Sequence, residues 1–165
     1  MSYQLPITRN ARYLFGIDPD LKKNGLALWD KSLNELTDNR ILTFSSLIRH
    51  ILKFDRNDTL IYLEAGWLNK VKNFHAVHLP ERLRKASKDA QIRYTAAVRE
   101  RIAHDVGQNA AAGKLLFEML TNLGYAVILI QPTERKWKPE DYTRFTGKKT
   151  KDQEKIDAAR LVVGL

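Results

Sequence analysis

Three short runs of strand-forming apolar residues, each cut off by polar or turn residues, constrain this chain more than any other feature. Tyr13-Leu14-Phe15-Gly16-Ile17 stops at Asp18. Thr59-Leu60-Ile61-Tyr62-Leu63 stops at Glu64, and Tyr125-Ala126-Val127-Ile128-Leu129-Ile130 stops at Gln131-Pro132. Runs of five or six residues rich in aliphatic and aromatic side chains suit strands inside a sheet and are too short for buried helices. Between the first two runs lies a polar turn over residues 21–25. Its Asn24-Gly25 pair is a strong hairpin signal, and Leu26-Ala27-Leu28-Trp29 reads as the returning strand. A third, weaker strand is predicted over 39–43.

Helical spacing fills the gaps. Phe44, Leu47, Ile48, Ile51 and Leu52 fall on one face of a helix predicted over 43–54, with Ser45 or Ser46 near its start as the cap. Residues 66–88 are basic and irregular, with His75, His78 and Pro80. From about Ser87 to Leu123 the pattern is helical. Gly107 and Gly113 either divide this stretch or allow close packing, and Gly124 is a natural stop. A basic loop follows the last strand, and a single final helix is predicted over about 151–163. The order of elements specifies an α/β layer with a mixed β-sheet flanked by helices. The early hairpin argues against a purely parallel, doubly wound sheet.

Composition bounds the function. The 165 residues suit one domain spanning 1–165, and 44% hydrophobic content excludes a disordered chain. The absence of cysteine removes disulfide scaffolds and thiolate metal sites. No apolar window approaches a membrane span, so a soluble, cytoplasmic protein with no membrane partner is expected. The net charge of +9 favours polyanionic partners. It is concentrated in two stretches: Lys70, Lys72, Arg82, Arg84, Lys85, Lys88, Arg93, Arg99 and Arg101, then Arg135, Lys136, Lys138, Arg144, Lys148, Lys149 and Lys151. Either stretch alone reads as a solvated face. With a cluster of acids between them, both read as surfaces that contact phosphate.

Those acids are Asp18, Glu64 and Asp157. Carboxylates ending neighbouring central strands converge on one edge of a sheet, where they repel one another and raise each other's pKa. A divalent cation with hard oxygen ligands relieves that repulsion, and a pair of such ions can promote phosphodiester hydrolysis. Any one strand-end acid can simply meet solvent. Glu64, after five apolar residues, and Asp157, among Ala158, Ala159, Leu161, Val162 and Val163, are harder to dismiss. Glu154 lies one helical turn before Asp157 on nearly the same face.

Together these motifs resemble the RuvC-type Holliday junction resolvases of the RNase H-like nuclease superfamily. The resemblance rests on Phe15-Gly16-Ile17-Asp18-Pro19 followed by Asn24-Gly25-Leu26-Ala27, on Leu63-Glu64, and on Gln131-Pro132-Thr133-Glu134-Arg135-Lys136. The step from Gly147 to Lys151 and Asp157-Ala158-Ala159 complete it. It covers about residues 13–164. It implies an RNase H-like fold, a homodimer, and Mg²⁺-dependent nicking of branched double-stranded DNA, with Mn²⁺ able to substitute. Asp18, Glu64 and Asp157 take the roles of metal carboxylates, and Lys136 and Lys151 those of lysines near the scissile phosphate. Trp67 takes the place of a Phe that stacks on junction bases.

The chain also departs from that pattern. Asp20 stands where the family has glycine. The family's Asp-Ala-Ala-Asp reads Asp157-Ala158-Ala159-Arg160, so a fourth carboxylate is missing from its usual place. Either Glu154 pairs with Asp157 one turn earlier, or Asp20 supplies the extra acid. The family usually has two helices after the basic loop, against the one predicted here.

Three competing readings share parts of this pattern. A transposase- or integrase-type nuclease would use the same fold, but this chain shows no appended DNA-binding module. A non-catalytic nucleic-acid-binding RNase H-like domain gains nothing from carboxylates facing phosphate. An actin-like ATP-binding domain needs a second glycine-rich phosphate loop. His75, His78 and His104 match no zinc spacing. Trp29 reads as core, and Trp137 either stacks on a base or packs under its loop.

Overall fold

The computed structural model describes residues 10–69, 77–133 and 135–165. Five strands form one sheet: β1 Tyr13–Asp18, β2 Asn24–Asp30, β3 Glu35–Leu42, β4 Thr59–Glu64 and β5 Ala126–Ile130. Their order is β3-β2-β1-β4-β5. The first three strands form an antiparallel meander, while β1 to β4 and β4 to β5 run parallel. This is the mixed sheet that the order of elements specifies.

Helices cover both faces. Helix α1 (Phe44–Ile51) and the long α3 (Lys88–Asn122) pack on one face. There Phe15, Ile17, Leu26, Leu28, Ile61 and Leu63 meet Leu47, Ile48, Ile51, Leu116 and Leu120. Helices α4 (Pro139–Thr146) and α5 (Gln153–Arg160) lie on the other, where Leu14, Ala27, Trp29 and Leu60 meet Tyr142, Ile156, Ala158 and Ala159. Alternation along each strand sorts the side chains: Leu14 faces α5, and Phe15 and Ile17 face α1 and α3. A four-residue helix, α2 (Glu81–Arg84), precedes α3.

The approach of α5 to the sheet sets the geometry of the whole molecule. A Cβ at Gly16 of β1 would overlap the Ala158 carbonyl oxygen, and one at Gly25 of β2 would overlap that of Glu154. With no side chain at either position, one turn of α5 rests its backbone directly on the two strands.

Several expectations are corrected. Asn24 and Gly25 lie inside β2, and the turn is made by residues 19–23. Asn24 is buried because its side chain accepts from the Asp20 amide and donates to the Leu42 carbonyl, which makes it a strand residue. Strand β3 starts four residues earlier than predicted. Thr43, not Ser45 or Ser46, caps α1, accepting from the Ser46 amide at 3.4 Å. Helix α3 runs through Gly107 and Gly113 without a break, and ends before Gly124 at φ +87. Strand β5 is an edge strand, half-buried along its length.

The region after the basic loop holds two helices where one was predicted. Pro139 opens α4, the Asp141 carboxylate accepts from the Lys138 amide at 3.1 Å, and Gly147 closes it in the left-handed conformation. No helix among the described residues is long and apolar enough to cross a membrane.

Candidate active site

Strand parity and register bring the acids together. Ile17 pairs with Leu63 across β1 and β4, so Asp18 and Glu64 follow side by side at the strand ends. Asp18 lies two residues beyond Gly16, which α5 covers. Glu64 lies two residues beyond Tyr62, which packs in the core beneath α4 and α5. Both acids therefore project from the face that α5 covers, and Asp157 comes down on them from that helix. Glu64 and Asp157 are among the few buried charged residues of the described chain, 6% and 1% exposed.

Each buried acid has its own cation. The Lys136 ammonium donates to Asp157 Oδ2 at 2.5 Å, and Gln153, one turn back on α5, donates to Oδ1 at 2.8 Å. Arg160 donates to Glu64 Oε1 at 2.9 Å and, through its other terminal nitrogen, to the Thr133 hydroxyl at 2.8 Å. Among the described residues, Asp18 has no cation within ion-pair distance. Burial, then the charges of Glu64 and Asp157, push its carboxyl up to about 8; Lys136 pulls the other way without prevailing. Burial alone would lower Lys136. Its hydrogen bond to Asp157 and the charges of Asp157, Asp18 and Glu64 outweigh that and leave it raised. Three carboxylates face two cations, and the deficit falls on Asp18.

Other residues singled out in the sequence lie in varied settings. Asp20 is occupied as a turn acceptor: Oδ1 takes the Lys22 and Lys23 amides at 2.8 and 3.0 Å, and Oδ2 takes the Asn109 side chain of α3 at 2.9 Å. Glu154 lies half-buried with its carbonyl over Gly25, and is not among the main charges acting on Asp18. Lys151 lines a surface depression with Pro139, Glu140, Thr143, Lys149 and Thr150. Lys148 is tied to the Leu36 carbonyl and lies 3.5 Å from Glu35, bracing β3.

Arg82, Arg84, Lys85, Lys138 and Lys149 are exposed. Lys70, Lys72, His75 and Glu134 lie outside the described residues. Trp67 is half-buried, and a Cβ at Gly113 would strike its ring and the Pro19 ring, so one side of the indole is spent on α3. Trp137 packs under its loop, stacked on Phe145 at 4.9 Å.

The sequence reading missed Arg160, Thr133 and Gln153 as site residues. One signal was present: Arg160 follows Asp157 by three residues, and so shares its helix face. Among the described residues, no set of three or more His, Asp or Glu side chains is arranged around a common point ready to hold a metal ion. The donor chemistry nonetheless suits one. The acids offer hard oxygens, each carboxylate keeps lone pairs beyond those its cation uses, and Asp18 is short of positive charge.

No protein-family model matches the chain. No curated protein matches it either. Among solved structures it is similar to T. thermophilus RuvC in complex with Holliday junction substrate, with a TM-score of 0.51 and 12% identity over 92% of this chain and 90% of that one. At that identity the likeness speaks for architecture alone: a mixed five-stranded sheet flanked by helices. The chain has an RNase H-like fold.

Proposed function

We propose that the chain is a metal-dependent, structure-selective DNA endonuclease that resolves Holliday or other branched junctions by phosphodiester hydrolysis. The observation that carries this reading is that Glu64 and Asp157 lie close enough for their charges to act on Asp18, while only two cations serve the three acids and much of the chain's positive charge is exposed. A binding surface for DNA alone would not bury acids where phosphate must come. Asp18, Glu64 and Asp157 would hold the cation, Mg²⁺ or Mn²⁺. Such an ion supplies a lowered pKa for bound water and a Lewis acid for the phosphoryl oxygens.

The remaining parts are the chain's own. Lys136 fixes the Asp157 carboxylate and brings an ammonium to the site. Gln153 holds the other Asp157 oxygen. Arg82, Arg84, Lys85, Lys138 and Lys149 offer phosphate contacts, joined in sequence by Lys70, Lys72 and Lys151. Trp67, with one side against Gly113, has its remaining surface for an unpaired base. A homodimer would present two such sites to the two strands cut at a junction.

One observation favours a second reading, a non-catalytic nucleic-acid-binding domain. Glu64 and Asp157 each already have a cation, and no ready metal cage stands among the described residues. Incubating the protein with a four-way junction and with matched duplex, with and without Mg²⁺, separates the two. Nicking of the junction that requires the metal supports the nuclease. Junction binding with no nicking at any metal concentration supports the binder.

A further inference from the structure

Arg160 stands three residues after Asp157, where the sequence pattern leaves a carboxylate missing, and its guanidinium reaches into the acidic cluster. We propose that Arg160 is a resident cation that positions Glu64 and takes the electrostatic place of a second metal ion, so that each chain binds one divalent ion, centred on Asp18. The proposal rests on the metal-dependent reading above.

Three observations carry it. The guanidinium is buried with its partner: the Arg160 and Glu64 side chains are 12% and 7% exposed, and they meet at 2.9 Å. It is also anchored on a third element, since Thr133, beyond β5, accepts its other terminal nitrogen at 2.8 Å. Its Nε is buried with no acceptor. Leaving that donor unpaired is costly, and the side chain bears the cost to keep its charge beside Glu64. A flexible surface arginine would instead turn to water.

The charge balance then limits the metal. With Asp18 ionised, as ligation of a metal requires, three carboxylates against Lys136 and Arg160 leave one net negative charge. One divalent ion turns this into one positive charge, which a single phosphodiester neutralises. A second would add two more positive charges to a cluster that already holds a guanidinium and an ammonium, and like-charge repulsion opposes this. Arg160 thus fills the electrostatic role of the second ion, and Glu64 is presented to the first ion with one oxygen already neutralised.

The test reads metal binding apart from cleavage. Mn²⁺ is titrated into the full chain, with free Mn²⁺ followed by electron paramagnetic resonance and a thermal melt run on each variant. Wild-type protein should bind one ion, and Asp18→Asn should abolish that binding. Arg160→Lys, which keeps the charge, should retain one ion with affinity close to wild type. Arg160→Gln should tighten Mn²⁺ binding roughly tenfold or more by removing a nearby positive charge, and Arg160→Asp should admit a second ion. If Arg160→Asp fails to fold, the Lys and Gln variants decide the matter by their difference in affinity. Two ions in wild-type protein, or equal affinities for the Lys and Gln variants, overturn the resident-cation proposal and leave the nuclease reading standing. No Mn²⁺ binding by wild-type protein overturns both.

Discussion

The strand-end site and the first two-thirds of α3 are built in opposite ways. At the site, buried acids are held by register, by a helix resting on two glycines, and by ion pairs from three separate elements. Along α3, the buried residues are Gly113, Leu116 and Leu120, all near its C-terminal end, while residues 88–112 contribute none. That stretch carries Lys88, Arg93, Arg99 and Arg101, all exposed. Asn109 ties it to the site, bonding the Asp20 carboxylate and the Leu21 amide. The contrast teaches a division of labour. On the proposed function, chemistry is placed where the chain over-determines position, and charge for a large polyanion where side chains are exposed.

That division is broken most directly at Asp18. Asp18→Asn keeps the side chain's shape and removes the charge a metal needs. Junction cleavage should fall by several orders of magnitude, because transition-state stabilisation by metal is lost. Junction binding by gel shift should persist or tighten. Full cleavage by this variant would move the chemistry elsewhere.

The next effect is on folding. Gly16→Ala forces the Ala158 backbone away from β1, an overpacking that should cost about 1–3 kcal/mol of stability. It should also lower cleavage by displacing Asp157. The equivalent change at Gly107, where a Cβ meets open space on α3, should leave stability equal or higher, since alanine is the better helix former. Denaturant unfolding of the two variants compares the regions directly.

A third effect belongs to the exposed side alone. Replacing Arg82, Arg84 and Lys85 together should flatten the dependence of log K on log salt by up to about 0.9 for each phosphate contact removed. Metal binding should be unchanged. An unaltered slope would place the DNA away from α2.

A last effect, read in stability rather than in activity, is a pH dependence confined to the site. Asp18 is pushed up to about 8 by burial and its acidic neighbours, from an ordinary value of 3.8. Between those values the folded protein holds a proton that the unfolded chain has released, so metal-free stability should fall as pH rises from about 4 to 8. Asp30, held low by Arg12 and Ser32, acts in the opposite sense and only below that window. Melting temperatures across this range should decline without metal, and Mg²⁺ or Asp18→Asn should flatten the decline. A flat metal-free profile would mean that Asp18 is already compensated.

How much of this was legible in the chain depends on whether a neighbour is near in sequence. The strands at 13–18, 59–64 and 126–130 and the acids that end two of them could be read directly, because an apolar run and its polar stop are local properties. Parity along the strands also carried the face that Asp18 and Glu64 share. Local signals for α4 were present too, in Pro139, Asp141 and Gly147, although the basic composition hid them.

Asn24 could not be placed from its dipeptide. Asn-Gly favours a turn in isolation, and only the Leu42 carbonyl, eighteen residues away, makes it a strand residue. The pairing of Lys136 with Asp157, of Arg160 with Glu64 and Thr133, and the occupation of Asp20 by Asn109 all join residues more than twenty positions apart. The sequence by itself determined which strands and acids the molecule has, because backbone propensity and burial act over a few residues. The tertiary structure alone decided which cation meets which acid and which carboxylate is left without one, because those choices are made by charges that meet only after the sheet and α5 have come together.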